Sequence, residues 1–206
     1  FLMDEPLSNL DAKLREILRT ELKNLQVEMG ATFLFVTHDQ VEAMTMGDRI
    51  GILNNGEVVQ VATPYEVYNY PNNLDAALHV GTPRMNIFDA FIQNGSIIAD
   101  KNLFEVTIDD CIVKKFNGYN GAVTVGIRTE DIHLHREKGI KGIIFGIENV
   151  GMEKIVTIRV KDHIFRSTVD PTYSFEVDSE IEFTFAQNRM HFFNRDSGER
   201  LFDFEK

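Results

Sequence analysis

Cysteine is nearly absent from this sequence, since Cys111 is the single cysteine among 206 residues. One thiol excludes an internal disulfide and fits a reducing compartment. Long apolar runs are missing too, because none approaches the roughly 20 residues that a membrane-crossing helix needs. Apolar residues nevertheless make up 43% of the chain. That content excludes a disordered chain and predicts folded units with their own cores.

Positive charge is also scarce. The chain has 21 lysine and arginine residues against 32 aspartate and glutamate residues, which gives a net charge of −11. No stretch forms the basic stripe that attracts nucleic acid or anionic lipid. We therefore expect no nucleic-acid partner. The length allows one large domain or two small ones.

The first residues join an apolar run to two carboxylates. Phe1 to Met3 are apolar, Asp4 and Glu5 follow directly, and Pro6 stops the extended segment. A short apolar run is typical of a buried parallel strand. Ligands of open α/β sheets collect beyond the carboxyl ends of such strands. Carboxylates at that place suit Mg²⁺, which prefers oxygen ligands and usually bridges to phosphates.

A helix and a second strand are predicted next. Asp11 is a suitable N-cap for a helix over residues 12–29, whose leucines recur at spacings of three and four, and Gly30 is well placed to end it. The apolar run 32–36 predicts a strand, and His38 follows where that strand ends. The order strand–helix–strand predicts parallel pairing in an α/β layer.

Turn and capping signals continue up to a predicted domain boundary. Two apolar runs between residues 49 and 61 flank Asn54 to Gly56, which is a strong hairpin signal. Thr63 opens a Thr-x-x-Glu capping box for a short helix, and residues 73–80 predict another. We place the domain boundary at Thr82-Pro83, so the predicted domains are 1–82 and 83–206.

Beyond the boundary the apolar pattern changes to period two, with frequent glycine, asparagine and aspartate. The clearest predicted strands cover residues 122–127, 155–160 and 180–185. Many short strands at this spacing predict an all-β domain, closed or nearly closed into a barrel.

The order of the N-terminal motifs resembles the ATP-binding subunit of an ABC transporter. Residues 2–5 are similar to Walker B, residues 8–11 to the D-loop, and His38 to the switch histidine. The sequences of residues 38–45 and 81–86 resemble those of the maltose-type branch of sugar importers. The resemblance is dense over the first 90 residues and sparser afterwards.

This resemblance implies a fold for both domains. Residues 1–82 would be the C-terminal part of a P-loop NTPase domain with an α/β fold, and residues 83–206 an OB-like β-barrel regulatory domain. Residues 125–132 resemble the Gly-Ile-Arg-Pro-Glu motif of that barrel, with Thr129 in the usual proline position. The family's P-loop, Q-loop and signature sequence lie upstream of Walker B. The chain is therefore expected to be a fragment that does not hydrolyse ATP alone.

The resemblance also implies residue roles. Asp4 would help to hold Mg²⁺ through a water, and Glu5 would be the general base that orients the attacking water. His38 would contact the γ-phosphate of ATP. The turn that faces a partner subunit across the nucleotide would contain Ser8, Asn9 and Asp11.

The family implies ATP and Mg²⁺ as cofactors of the complete protein, and a second copy of the subunit and two membrane permeases as its partners. Such a subunit lies peripherally at the cytoplasmic face of the cell membrane. The solute stays open among sugars and related compounds such as glycerol phosphate. An alternative of another class also stays open: a regulatory or sensing module whose barrel binds a small oxyanion or a signalling protein.

Overall fold

A computed structural model describes residues 1–135 and 139–202. The chain divides into two compact units, Phe1–Pro71 and Asn72–Lys206. Strands outnumber helices in the described residues. None of the helices in this part of the chain is long and apolar enough to cross a membrane.

The first unit begins with the predicted strand–helix–strand arrangement. Its elements are β1 (Leu2–Asp4), α1 (Ala12–Met29) and β2 (Leu34–Val36). The two strands are parallel, with Leu2 opposite Leu34. The α/β character predicted for this region is therefore confirmed at the level of strand order and direction.

Side-chain caps and a glycine set the helix ends where the sequence predicts them. Asp11 Oδ1 accepts a hydrogen bond from Leu14 N (3.0 Å) at the start of α1. Gly30 ends the helix with φ +60°, a conformation that glycine adopts without a Cβ clash. The second helix, α2 (Gln40–Met46), begins after Asp39, whose side chain accepts hydrogen bonds from two backbone N–H groups of the first turn.

The first unit ends with a hairpin and a short helix. Strands β3 (Ile50–Asn54) and β4 (Glu57–Ala62) pair antiparallel across a turn at Asn55 and Gly56. Helix α3 (Pro64–Asn69) is capped by Thr63, which takes part in a complete capping box. The predicted hairpin and the predicted capping box are both confirmed.

The second unit begins with the short helix α4 (Leu74–His79) and then consists mostly of strands. The further elements in its described residues are β5 (Asn86–Gln93), β6 (Ser96–Ala99), β7 (Glu105–Thr107), α5 (Asp110–Lys115), β8 (Gly121–Ile127), β9 (Ile132–His135), β10 (Ile140–Asn149), β11 (Lys154–Val160), β12 (His163–Val169), β13 (Glu180–Phe185) and β14 (His191–Asn194).

These strands form two antiparallel five-stranded sheets. One sheet has the order β14-β8-β5-β6-β7 and the other the order β12-β11-β10-β13-β9. The three clearest predicted strands correspond to β8, β11 and β13. The predicted strand-rich character is thus confirmed for the second unit, and its strands are divided between two sheets.

The two sheets share one aromatic core and a side-chain link through Asn86. The ring of Phe88 in β5 stacks 5.6 Å from that of Phe185 in β13 and lies 5.8 Å from that of Phe165 in β12. The amide of Asn86 then acts as a strand neighbour for Arg166. Its Nδ2 donates to Arg166 O (2.9 Å) and its Oδ1 accepts from Arg166 N (2.7 Å). Both contacts join β5 to β12.

The division between the compact units precedes the predicted domain boundary. It falls between Pro71 and Asn72, because the residues that follow bond to the end of the second unit. Leu74 N, for example, donates to Gly198 O (2.8 Å). The domain boundary at Thr82-Pro83 stays a prediction.

Candidate functional site

The candidate site lies at the ends of the two parallel strands of the first unit. Asp4, the last residue of β1, is paired with Val36, the last residue of β2. Glu5 N then donates to Val36 O (2.9 Å). Parallel strands bring their carboxyl ends to one edge, so Asp4, Glu5 and His38 all lie at that edge.

Glu5 and His38 are in direct contact at this edge. His38 Nε2 lies 2.6 Å from Glu5 Oε1. The imidazole is 86% exposed and the carboxylate 38% exposed. The two groups are therefore in close contact and reachable from solvent, as a site that transfers protons requires.

The backbone of Glu5 is held in an unusual conformation. Its φ is +42°, in the left-handed region that side-chain-bearing residues rarely adopt. Hydrogen bonds on both sides maintain it: Glu5 N donates to Val36 O, and Glu5 O accepts from Ser8 N (3.2 Å) and Ser8 Oγ (2.9 Å). Strain of this kind concentrates at functional sites, where the surrounding structure fixes a side-chain direction.

The turn after Glu5 contains the remaining predicted site residues. Ser8 bonds back to Glu5, and the buried Leu7 anchors the turn with 3% of its surface exposed. Asn9 is exposed, and Asp11 caps α1. The structure thus connects Ser8 directly to Glu5, gives Asp11 a capping role and leaves Asn9 at the surface.

Sequence reasoning missed a polar cluster beside this site, formed by Arg15, Thr37 and Glu42. Glu42 is 3% exposed, and its Oε2 accepts a hydrogen bond from Thr37 Oγ1 (2.5 Å). The spacing Asp39-x-x-Glu42 has the form of a capping box, which predicts a glutamate that bonds to its own helix start. That signal draws attention to Glu42 but gives no indication of Arg15 as a neighbour.

The residues at the strand ends fit Mg²⁺ as a partly hydrated ion. Within the described ranges, no group of three or more histidine, cysteine, aspartate or glutamate side chains is arranged to hold a metal. Mg²⁺ usually keeps several waters and takes one or two carboxylates together with substrate phosphates. The exposed carboxylate of Asp4 suits that kind of site, and a cage made of protein groups alone is not required.

The second unit has a cavity of about 680 Å³. Phe104 is part of its lining, together with Arg159 and Lys161. Lys161 Nζ donates to Asn102 O (2.5 Å), and the Arg159 guanidinium lies 5.1 Å from the ring centroid of Phe145. These two cationic groups already contact other protein groups.

Comparison with curated proteins finds import ATP-binding proteins. The chain is 39% identical over 212 residues to the trehalose/maltose import ATP-binding protein MalK of Thermococcus litoralis, covering 98% of this chain and 57% of that protein. It is 39% identical over 209 residues to the xylose/arabinose import ATP-binding protein XacK of Haloferax volcanii (98% and 54%). It is 36% identical over 201 residues to the sn-glycerol-3-phosphate import ATP-binding protein UgpC of a Jannaschia species (98% and 56%). The chain thus spans a little over half the length of these relatives.

No protein-family model matches the sequence. Among solved structures, the cytoplasmic molybdate-binding protein ModG aligns with 52% of this chain and 94% of its own, at a TM-score of 0.40 and 11% identity. That likeness is too weak to support a fold or a ligand. The curated relatives agree with the motif order and favour the ATP-binding interpretation over an oxyanion-sensing module. Over 98% of its length the chain is thus similar to part of the ATP-binding proteins of importers.

Proposed function

We propose that the chain is part of the ATP-hydrolysing subunit of an ABC importer for a sugar or a related solute. The observation that carries this proposal is the contact between His38 Nε2 and Glu5 Oε1 (2.6 Å) at the adjoining ends of two parallel strands. Relatives named for the import of sugars and of glycerol phosphate support the solute class.

Glu5 and His38 have different roles at the γ-phosphate. Phosphoryl transfer depends mostly on positioning and on neutralising charge. The Glu5 carboxylate orients the attacking water and accepts its proton, because it is exposed at a strand end and held in one direction. His38 steadies that carboxylate through the 2.6 Å contact and reaches the phosphate from the end of β2.

Asp4 and the turn after Glu5 have supporting roles. Bound Mg²⁺ neutralises phosphate charge, and Asp4 would hold it through a water. The turn of residues 8–11 would face a second copy of the subunit across the nucleotide. The exposure of its polar side chains is compatible with that role.

The assembly that we propose contains two copies of the complete subunit and two membrane permeases, with the subunit peripheral at the cytoplasmic face of the membrane. Residues 1–82 would be the end of the P-loop NTPase domain. Residues 83–206 would be an OB-like regulatory barrel, for which the two antiparallel sheets around one core provide support.

Replacing Glu5 by glutamine in the complete subunit tests the function. Glutamine keeps the size of the side chain but removes its charge and most of its basicity. We expect ATP to bind with nearly unchanged affinity, while single-turnover hydrolysis slows by about 10²–10⁴-fold. The ATP-bound dimer should accumulate and be detected by size-exclusion chromatography, because it forms but does not dissociate without hydrolysis.

Two matched variants control this experiment. Glu28→Gln removes a carboxylate from an exposed position of α1 and should leave turnover unchanged. Asp4→Asn should instead weaken the Mg²⁺-dependent part of ATP affinity. Hydrolysis by Glu5→Gln at the parent rate would show that Glu5 is not the base and would refute the proposed mechanism.

A further inference from the structure

The guanidinium of Arg15 lies between two segments of the candidate site that are separated in sequence. Arg15 belongs to the first turn of α1, and its side chain is 29% exposed. Toward the turn of residues 8–11, its Nη2 donates to Leu10 O (3.0 Å) and, at a longer distance, to Ser8 O (3.5 Å). One nitrogen thus holds two backbone carbonyls of the turn that bonds to Glu5.

The other guanidinium nitrogens face the segment that carries His38. Nη1 of Arg15 lies 3.4 Å from Asp39 Oδ2, and its Nε lies 3.8 Å from Glu42 Oε1. The second distance is an ion-pair separation rather than a hydrogen bond. Arg15 therefore contacts the residue that caps α2 and a carboxylate within the first turn of that helix.

Glu42 and Thr37 lock this segment in place. The Glu42 side chain is 4% exposed, and a carboxylate so deeply buried needs a positive or donating partner. Thr37 Oγ1 donates to Glu42 Oε2 (2.5 Å) and accepts from Asp39 N (2.9 Å). Residues 37 and 39 are both fixed by this network, so the backbone of His38 between them is fixed as well.

We propose that Arg15 is a positioning residue that couples the turn of residues 8–11 to the segment 37–42, and so to the Glu5–His38 pair. If the turn is displaced, for example by a second subunit, the guanidinium of Arg15 moves. The backbone position of His38 then changes as well. The catalytic meaning of this coupling rests on the proposed function, whereas the coupling itself is a property of the described chain.

The chemistry of arginine suits this role. Its planar guanidinium presents several donors in a fixed geometry and serves carbonyl and carboxylate oxygens at once, whereas a lysine ammonium is a single point charge on a flexible stem. Arg15→Lys should therefore keep the charge near Glu42 but lose the simultaneous hold on both segments. The Arg15→Lys variant therefore tests the geometry of the guanidinium contacts while the positive charge is kept.

Amide hydrogen exchange, measured on the 206-residue chain, tests the coupling between residues 8–11 and 37–42. The mutation is made at one end of the network and the effect is measured at the other. Glu42→Gln should raise the exchange rate of the Leu10 amide, which donates to Leu7 O (3.3 Å), by about tenfold through easier local opening. Arg15→Met should raise exchange at both the Leu10 and the Glu42 amides.

Arg19→Met is the matched control for exchange. Arg19 lies one turn further along α1 and takes no part in the network of the described residues, so both amides should keep the parent rates. If Arg15→Met does not fold, Arg15→Lys and Glu42→Gln carry the test. A change confined to the mutated end would overturn the proposal, because it would show two independent local contacts.

Kinetics of the complete subunit provide a second readout. Small misplacement of catalytic groups lowers rates by up to about 10²-fold. We expect Arg15→Met to lower kcat by about 10–10²-fold with ATP affinity changed by less than about twofold, and Arg15→Lys to restore part of the loss. The double variant with Glu42→Gln should be no slower than the slower single variant, because both break one shared link.

The two proposals fail in different ways. A complete parent subunit without ATPase activity would refute the proposed function and leave the exchange test intact. Multiplying kinetic effects of Arg15→Met and Glu42→Gln would refute the coupling and leave the ATPase assignment intact.

Discussion

The two compact units differ in how many of their large apolar side chains are buried. In Phe1–Pro71, the large apolar side chains that are buried are Leu7, Ile52 and Val67, and no residue of α1 is buried. The described part of Asn72–Lys206 instead holds a continuous core to which both sheets contribute. The unit with candidate chemistry is therefore the one with the smaller core.

This contrast shows that different interactions hold the two regions in place. Polar contacts position the candidate site, whereas apolar packing stabilises the second unit. Ion pairs, caps and backbone hydrogen bonds position Glu5, His38 and the turn between β1 and α1. Such contacts each contribute little net stability in partly exposed surroundings. Exposed apolar side chains on α1, including Ile17 and Val27, add a surface of the kind that packs against further protein.

The largest expected difference between the units comes from truncating one apolar side chain in each. Phe165 is fully buried among other aromatic rings, so Phe165→Ala should lower the free energy of unfolding by about 3–5 kcal/mol. Ile17 is 50% exposed on α1, so Ile17→Ala should change it by less than about 0.5 kcal/mol. Urea unfolding followed by circular dichroism measures both, and similar losses would contradict the contrast.

A smaller effect is expected from Asn86, a side chain that joins the two sheets. Asn86→Ala removes both hydrogen bonds to the Arg166 backbone and leaves those groups without this partner, at a cost of about 2–3 kcal/mol. Gln93→Ala, on an exposed position of the same strand, should cost less than about 0.5 kcal/mol. Equal thermal stability of the two variants would show that the Asn86 link is not needed.

The smallest effect is a pH dependence confined to the second unit. Burial and three neighbouring arginines lower the pKa of His191 from 6.5 to about 3. The arginines are Arg200, Arg128 and Arg189. Between those two pH values the unfolded chain binds a proton that the folded chain does not. Stability therefore falls as the pH drops below 6.5, by about 2 kcal/mol between pH 7 and pH 5.

His191→Gln removes this titrating group and should reduce the slope. His133→Gln, which changes an exposed histidine, should leave the slope as in the parent. Unfolding free energies measured at several pH values between 5 and 7 distinguish the two variants. An unchanged slope in His191→Gln would assign the pH dependence to other groups.

Local sequence signals predicted the elements with strong end markers. Asp11 and Gly30 gave the limits of α1, Asn54 to Gly56 gave the hairpin, and Thr63 gave the start of α3. Each signal acts within a few residues, because a cap or a tight turn is a contact between near neighbours in the chain. The order of the motifs around Glu5 and His38 also predicted the similarity to import ATP-binding proteins.

Other features depend on contacts that no local spacing describes. The division of the strands into two sheets and the link between Asn86 and Arg166 join residues that are far apart in sequence. The contacts of Arg15 with Asp39 and Glu42 are of the same kind.

The sequence by itself determined the strand–helix–strand order, the helix caps and the presence of carboxylates and a histidine after apolar strands. The tertiary structure alone decided that Glu5 and His38 touch, that Arg15 bridges two segments, and which residues share the aromatic core. The physical reason is the range of the interactions. Propensities and caps act between neighbours along the chain, whereas burial, ion pairing and sheet order depend on which distant segments meet.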